Sequence, residues 1–423
     1  MTVGEHFKCP LCGKDYTIKM QMDNTYTLYD WPIHVSCPEC GNEIDLLFNT
    51  KGLQPAELIS KEAEKSITIG YSAVLPLKKD LYFRELSRGE RMAASTPFLN
   101  FSSFYGRFDV AGPLGHWVSA LMKTLIPYRH YLLQLLPIIS HKPCNVKAYS
   151  ARLATLCGNS GYRILKDENE CLDSYIELHK ATYMNLAIKP YQASQMKRTI
   201  DMLQDYVENA DKQQIESLMG KVNSVMDKED WLWKEVLPVV AEIVNEIQVL
   251  FPSMSFATQG NFNVPSGQEL YTMTVGYKKL DGWYARCFEA LVHGLPFLLG
   301  LNNAVRNGDA DVFIVSGQRD ARCLKDFSAL NSAGRISAIR QDLEMNALLV
   351  PVLNNHIRNA IQHQGDTFQS MSQLVEYHYD TTDNTKHDDF RLIDVGFMVF
   401  MQLIHLLEAI MLFTTCEKRI RTA

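Results

Sequence analysis

No excess of positive charge marks this chain. Forty-two Lys and Arg stand against 48 Asp and Glu, a net charge of −6. That excludes a globally basic nucleic-acid surface, so any contact with phosphate has to come from a local patch. No basic-then-apolar leader precedes the first cysteine in MTVGEHFKC, and no secretory signal is expected. No uncharged apolar run of membrane-spanning length occurs either. The best candidate, residues 394–413, contains Asp394, His405 and Glu408. Charges at bilayer depth are costly, so this stretch reads as a buried helix of an all-α core, and no membrane partner is expected. Internal repeats and low-complexity runs are lacking. No Walker lysine motif, Rossmann glycine fingerprint or GxSxG elbow is present, which argues against NTPase, dehydrogenase and serine-hydrolase chemistry.

What is present begins with size. At 423 residues the chain exceeds one ordinary core, and 46% apolar with 21% charged residues is the composition of a folded globular protein. Ten cysteines divide unevenly. Six are scattered (Cys144, Cys157, Cys171, Cys287, Cys323 and Cys416), a pattern that suits a reducing cytoplasm better than a disulfide framework. The other four form two knuckles, Cys9-Pro-Leu-Cys12-Gly13 and Cys37-Pro-Glu-Cys40-Gly41. Two residues between thiolates let a tight turn aim both sulfurs at one ion, and the following glycine permits the left-handed turn that frees backbone N–H groups towards sulfur. Cys9, Cys12, Cys37 and Cys40 are therefore expected to hold a structural zinc ion. Over residues 7–46 the sequence resembles the zinc-ribbon family. Four thiolates leave no open position for water, so the site is not expected to be catalytic. Lys8, Lys14 and Lys19 are offset by Asp15, Asp23, Glu39 and Glu43, so charge does not make the ribbon a nucleic-acid module.

The expected fold is mainly α and multidomain, in three consecutive blocks: a small β zinc ribbon over 1–50, a mixed, mostly helical middle region of unknown role over 51–265, and an all-α helical bundle over 266–423. Residues 66–77 look like strand, and 114–139 look helical with interruptions at Pro127 and Pro137. Residues 170–250 alternate apolar stripes and charge at helical spacing, 251–267 read as a loop, and 269–277 as a short strand. A long helix is expected over 282–305 with a kink at Pro296, then one or two helices over 332–363 bent at Pro351. A loop or short hairpin follows over 365–388, where Glu376–Asp380 read as ordinary cross-strand pairs in preference to groups that stack and bond an RNA base, and a closing helix over 389–413 is capped by Asp388 and Asp389.

Polar chemistry concentrates in NNHIRNAIQHQG, residues 354–365, directly after the apolar run ALLVPVL. On a helical wheel at about 100° per residue, Leu349, Leu353, Ile357, Ala360 and Ile361 form a face that buries. Arg358, Asn355, Asn359, Gln362, His363 and His356 occupy the other side, which is polar yet nearly uncharged. Lys and Glu are what a solvated face favours, and Asn and His are poor helix formers. Gly365 is expected to be the C-cap residue, leaving His363 in the last turn, where the helix dipole favours its protonated form. A guanidinium and a titratable imidazole can then meet one phosphate. Arg286 with His293 fits the same kind of spacing but lies mid-helix among apolar residues, and His293 reads as a satisfied core or interface histidine. His356 reads as a surface or hydrogen-bonding group, and His116, Arg129 and His130 as a polar edge on a packed helix.

Arg358-Asn359-Ala-Ile-Gln-His363 matches the R-x4-6-H motif of the HEPN family, and residues 280–415 resemble that family. The resemblance implies a metal-independent endoribonuclease, with no catalytic metal, whose active site forms across a homodimer or higher oligomer. Arg358 and His363 would carry catalysis with Asn359 in support. RNA, tRNA among the candidates, would be the substrate, cleaved by attack of its own 2′-hydroxyl. A regulated toxin or anti-phage effector, cytoplasmic and with a regulatory protein partner, is the setting that family implies. Two other readings remain open: a non-catalytic zinc-ribbon and HEPN adaptor, and a nucleotide-binding sensor.

Overall fold

The computed structural model describes residues 2–13, 15–21, 30–37, 39–49, 57–60, 66–67 and 92–93. From 131 to 422 it describes all but 132–133, 136, 140–142, 159–163, 188–194, 228–229, 251–252, 254–271, 273, 314–320, 371 and 384. Expectations for most of 66–77, most of 114–139 with His116, Arg129 and His130, and the loop at 251–267 fall largely or wholly outside these residues.

The first elements are strands: β1 (Thr2–Lys8), β2 (Asp15–Gln21), β3 (Asp30–Ser36), β4 (Glu43–Asn49), β5 (Glu57–Ser60), β6 (Ser66–Ile67) and β7 (Met92–Ala93). Helices follow: α1 (Val146–Leu156), α2 (Glu168–Ala187), α3 (Gln195–Asn209), α4 (Lys212–Asn223), a π-helical turn Trp231–Val236, and α5 (Leu237–Asn245). Next come a 3-10 turn Ile247–Leu250, then α6 (Tyr277–Asn307), α7 (Leu324–Ala329), α8 (Ser332–Ile339) and α9 (Leu343–Leu349). After a 3-10 turn at Val350–Val352 the chain ends in α10 (Asn355–Gln362), β8 (Asp366–Gln369), β9 (Leu374–His378), β10 (His387–Arg391) and α11 (Leu392–Thr422). Most of the described residues are helical, so the protein is mainly α.

The chain forms two compact units, each assembled from segments far apart in sequence. The first comprises Met1–Val110, Glu246–Tyr284 and His356–Phe400; the second comprises Ala111–Asn245, Ala285–Asn355 and Met401–Ala423.

In the first unit, β1 and β2 pair antiparallel from Thr2↔Gln21 to Lys8↔Asp15, and β3 and β4 from Asp30↔Asn49 to Ser36↔Glu43. A separate antiparallel sheet runs β10-β9-β8. This sheet corrects the expectation of an all-α C-terminal bundle and of a loop or single hairpin at 365–388. Its central strand alternates: Val375 and Tyr377 are buried while Leu374, Glu376 and His378 are half-buried, the period-2 pattern of a sheet with one packed face. Asp388 and Asp389 lie within β10 and do not cap the last helix, which starts at Leu392 with Asp394 paired to Arg391.

Residues 269–277 do not form a strand where they are described. Thr272, Thr274 and Val275 are irregular, and α6 begins at Tyr277. A side chain takes the place of a partner strand. Gln373 accepts from the Thr272 amide and donates to the Thr272 carbonyl, both at 2.8 Å.

The second unit packs around Trp231, Phe297 and Phe413, whose ring centroids lie 5.6–6.1 Å apart. The Trp231 indole donates to the Ala290 carbonyl at 2.7 Å, so its polar edge is satisfied inside the core. Gly294 makes room for the ring: a Cβ there would lie 2.4 Å from a Trp231 ring carbon. Helix α4 starts in a capping box between Asp211 and Gln214, and Asn331 and Asp342 cap α8 and α9. The apolar closing helix is as buried as its sequence suggests: 94% of its most apolar stretch lies inside the protein. His405 and Glu408 are buried within it, and burial pushes the imidazole down to about 3 and the carboxyl well above its usual range. Burial disfavours the charged form of each.

Candidate functional site

The first unit carries both groups of residues singled out by the sequence. The cysteine knuckles are built as their spacing requires. Gly13 and Gly41 adopt left-handed φ values of 71° and 72°, and their amides donate back to the Cys9 and Cys37 carbonyls at 3.0 and 2.8 Å. The four sulfurs lie within 4.8 Å of one another, with Cys9 to Cys40 at 3.7 Å and Cys12 to Cys37 at 3.6 Å. A tetrahedral ion with bonds of about 2.3 Å spaces its sulfurs about 3.8 Å apart, so the quartet is sized to hold one. Cys9 and Cys37 are buried, while Cys12 and Cys40 are exposed. The second knuckle is held from outside the ribbon, where the Ser370 hydroxyl, in the turn after β8, donates to the Gly41 carbonyl at 2.8 Å. None of the ten cysteines is joined in a disulfide.

The RNxxxH stretch forms α10. Ile357 and Ala360 are buried, Arg358 and Asn359 are half-buried, and His356, Gln362 and His363 are exposed. Arg358 Nη1 donates to Asn359 Oδ1 at 3.2 Å, so these two are joined. His363 follows the last helical residue, and its amide still donates to the Asn359 carbonyl at 3.0 Å, which keeps it on the helical path. Among the described residues no side-chain hydrogen bond ties the His363 ring to Arg358 or Asn359.

The helix ends differently from the expectation for Gly365. Gln364 takes the left-handed conformation, at φ 54°, and the Gly365 amide donates to the Ala360 carbonyl at 2.8 Å, the six-to-one bond of a Schellman ending. Gly365 serves another purpose. A Cβ there would lie 2.5 Å from the His378 carbonyl oxygen, so only a bare backbone lets the chain pass β9 and begin β8.

Around α10 the structure adds partners that the sequence alone did not pair. The His356 ring stacks on Tyr379 with centroids 3.8 Å apart and planes 16° from parallel, and its Nδ1 lies 2.9 Å from Asp388 Oδ2. His378 and His387 face each other across β9 and β10, with centroids 5.1 Å apart. The second motif match is fully engaged. Arg286 forms a two-pronged pair with Glu242 at 2.6 and 2.7 Å, and His293 lies 2.7 Å from Glu235. His293 is about half exposed, so it is satisfied, but at the surface rather than in the core.

An acidic centre lies just beyond His363. Asp366, the first residue of β8, has a side chain only 3% exposed and accepts from the Tyr277 hydroxyl at 2.9 Å and from Lys278. Asp281, one turn along α6, is 2% exposed and accepts from the Tyr377 hydroxyl at 2.7 Å, while its Oδ2 has no hydrogen-bond partner among the described residues. Burial pushes the Asp281 carboxyl up to about 7, with Asp366 adding to the rise and the Tyr377 bond and Lys278 opposing it. Tyr277 and Lys278 also line a cleft of about 340 Å³, whose other wall includes the paired His34 and Asp45 of the ribbon strands. These residues come from segments some hundred positions apart, and no local pattern flags them; the period-2 alternation of β9 alone hinted that Tyr377 points inward.

Comparison with protein-family models, with curated proteins and with solved structures finds no match to this chain.

Proposed function

We propose that the protein is a metal-independent endoribonuclease of the HEPN kind, with a structural zinc ion in its cysteine ribbon. The observation that carries the reading is the arrangement on α10. Arg358 is held half-buried by Asn359, and an exposed His363 stands at the end of the same helix. Arginine suits the charge that develops on a phosphorane, and histidine is a side chain that can move protons in catalysis. The 2′-hydroxyl attacks the adjacent phosphorus, the P–O5′ bond breaks, and a 2′,3′-cyclic phosphate and a 5′-hydroxyl remain. His363 takes or returns the proton, and Arg358 stabilises the pentacoordinate phosphate. RNA, tRNA included, is the substrate class. Pairing of two α10 motifs in a homodimer, cytoplasmic location and a defence or toxin role belong to the same proposal. The four-thiolate site supports a structural ion because it leaves no position for water.

The test is cleavage of mixed tRNA and a structured RNA by the purified protein in EDTA, beside Arg358→Ala and His363→Ala, with a zinc-replete control for the ribbon. Cleavage that persists without free metal and is lost in both variants is the expected result. Cleavage retained by both variants removes Arg358 and His363 from catalysis. The half-buried bond from Arg358 to its own neighbour favours one competitor, a non-catalytic adaptor in which the arginine serves the helix. That reading predicts RNA-independent dimerisation and no turnover.

A further inference from the structure

We propose that the stacked pair His356–Tyr379 is a platform for a nucleobase of the RNA strand whose phosphate meets Arg358 and His363. The proposal rests on the nuclease reading above and adds a binding subsite to it. His356, Asn359 and His363 fall at i, i+3 and i+7, a single stripe along one side of α10. His356 sits about 10 Å along the axis from His363, close enough for one strand to touch both. The platform is flat and held: the rings lie 3.8 Å apart and 16° from parallel, and Asp388 Oδ2, 2.9 Å from Nδ1, fixes the imidazole plane from β10. It is also accessible. Tyr379 covers one face of the imidazole, yet 49% of the His356 side chain remains exposed.

Single-stranded RNA is recognised by stacking unpaired bases on such rings, and because every base has a π-face the contact tolerates many sequences. Asp388 repels phosphate, so the chemistry of this patch suits a base and leaves the backbone to Arg358.

The platform is tested by binding, without turnover. A short labelled single strand with 2′-O-methyl riboses lacks the nucleophile, and a matched strand carrying abasic positions keeps the phosphates. Fluorescence anisotropy compares both on the wild-type protein, Tyr379→Leu and Tyr379→Trp, with folding checked by circular dichroism. Removing the bases is expected to weaken wild-type and Tyr379→Trp binding roughly tenfold, and Tyr379→Leu binding less than about twofold. Should Tyr379→Leu fail to fold, His356→Leu reads the same difference. An equal loss in wild type and the leucine variant overturns the platform while leaving the nuclease reading intact. A wild-type protein that binds neither strand overturns both.

Discussion

Asp281 shows what a single buried side chain can impose. Its carboxyl is held at about 7 chiefly by burial, and Asp366, Lys278 and Tyr377 are the charged and titratable groups that face it. The folded protein therefore keeps a proton on Asp281 between roughly pH 4 and pH 7, where the unfolded chain has released it. Its contribution to stability is complete below the unfolded value and is lost as pH rises through the folded one. Asp281→Asn preserves an acceptor for Tyr377 and removes the titration. The variant is expected to be more stable than wild type at pH 8, on the order of 2 kcal/mol, and to match it near pH 4. Urea midpoints at the two pH values check this; parallel curves for both proteins would sink it. At the same scale, Gly365 was legible as a helix terminator, but its reason was not, because the oxygen that excludes a side chain belongs to His378 on another strand.

Among the elements, α6 carries the sharpest packing constraint. Gly294 is a poor helix residue by propensity, and replacing it with alanine in an isolated helix gains about 1 kcal/mol. In this protein a Cβ at that position would press to 2.4 Å from the ring of Trp231, which is 2% exposed and fixed by its bond to Ala290. Overpacking wins, and Gly294→Ala is expected to destabilise by about 1–3 kcal/mol in chemical denaturation. A neutral or stabilising result would mean that the indole moves freely. The closing helix was legible from its composition, because an apolar run interrupted by His405 and Glu408 fits a protein core better than lipid, and those residues are buried. The three-stranded sheet was less legible. Its strands have four or five residues, too short for alternation to separate them from a loop.

At the scale of the molecule, the first unit gathers the cysteine ribbon, the acidic centre and α10 from three separate stretches of chain. Ser370, one residue past β8, bonds the knuckle at Gly41, so an ion held by the cysteines also braces the turn that leads into β9. The protein is expected to bind one zinc ion per chain, and Cys9→Ser with Cys37→Ser to bind none. Loss of the ion should lower the thermal midpoint of the full chain, because binding energy in such sites is folding energy. Elemental analysis beside thermal melts checks both; a metal-free protein with an unchanged midpoint would show that the ribbon is not ion-dependent.

The residues by themselves determined what local rules control: two thiolate pairs with their left-handed glycines, the amphipathic helix bearing Arg358 and His363, and the long buried helices, each set by spacing within a few turns of chain. Tertiary structure alone decided the rest. It set Asp281 beside Asp366, gave Thr272 a side chain in place of a strand partner, laid His356 flat against Tyr379, and grouped the chain into interleaved units. Each of these depends on contacts between segments distant in sequence, where the energy lies in burial and in pairs of groups that no local periodicity records.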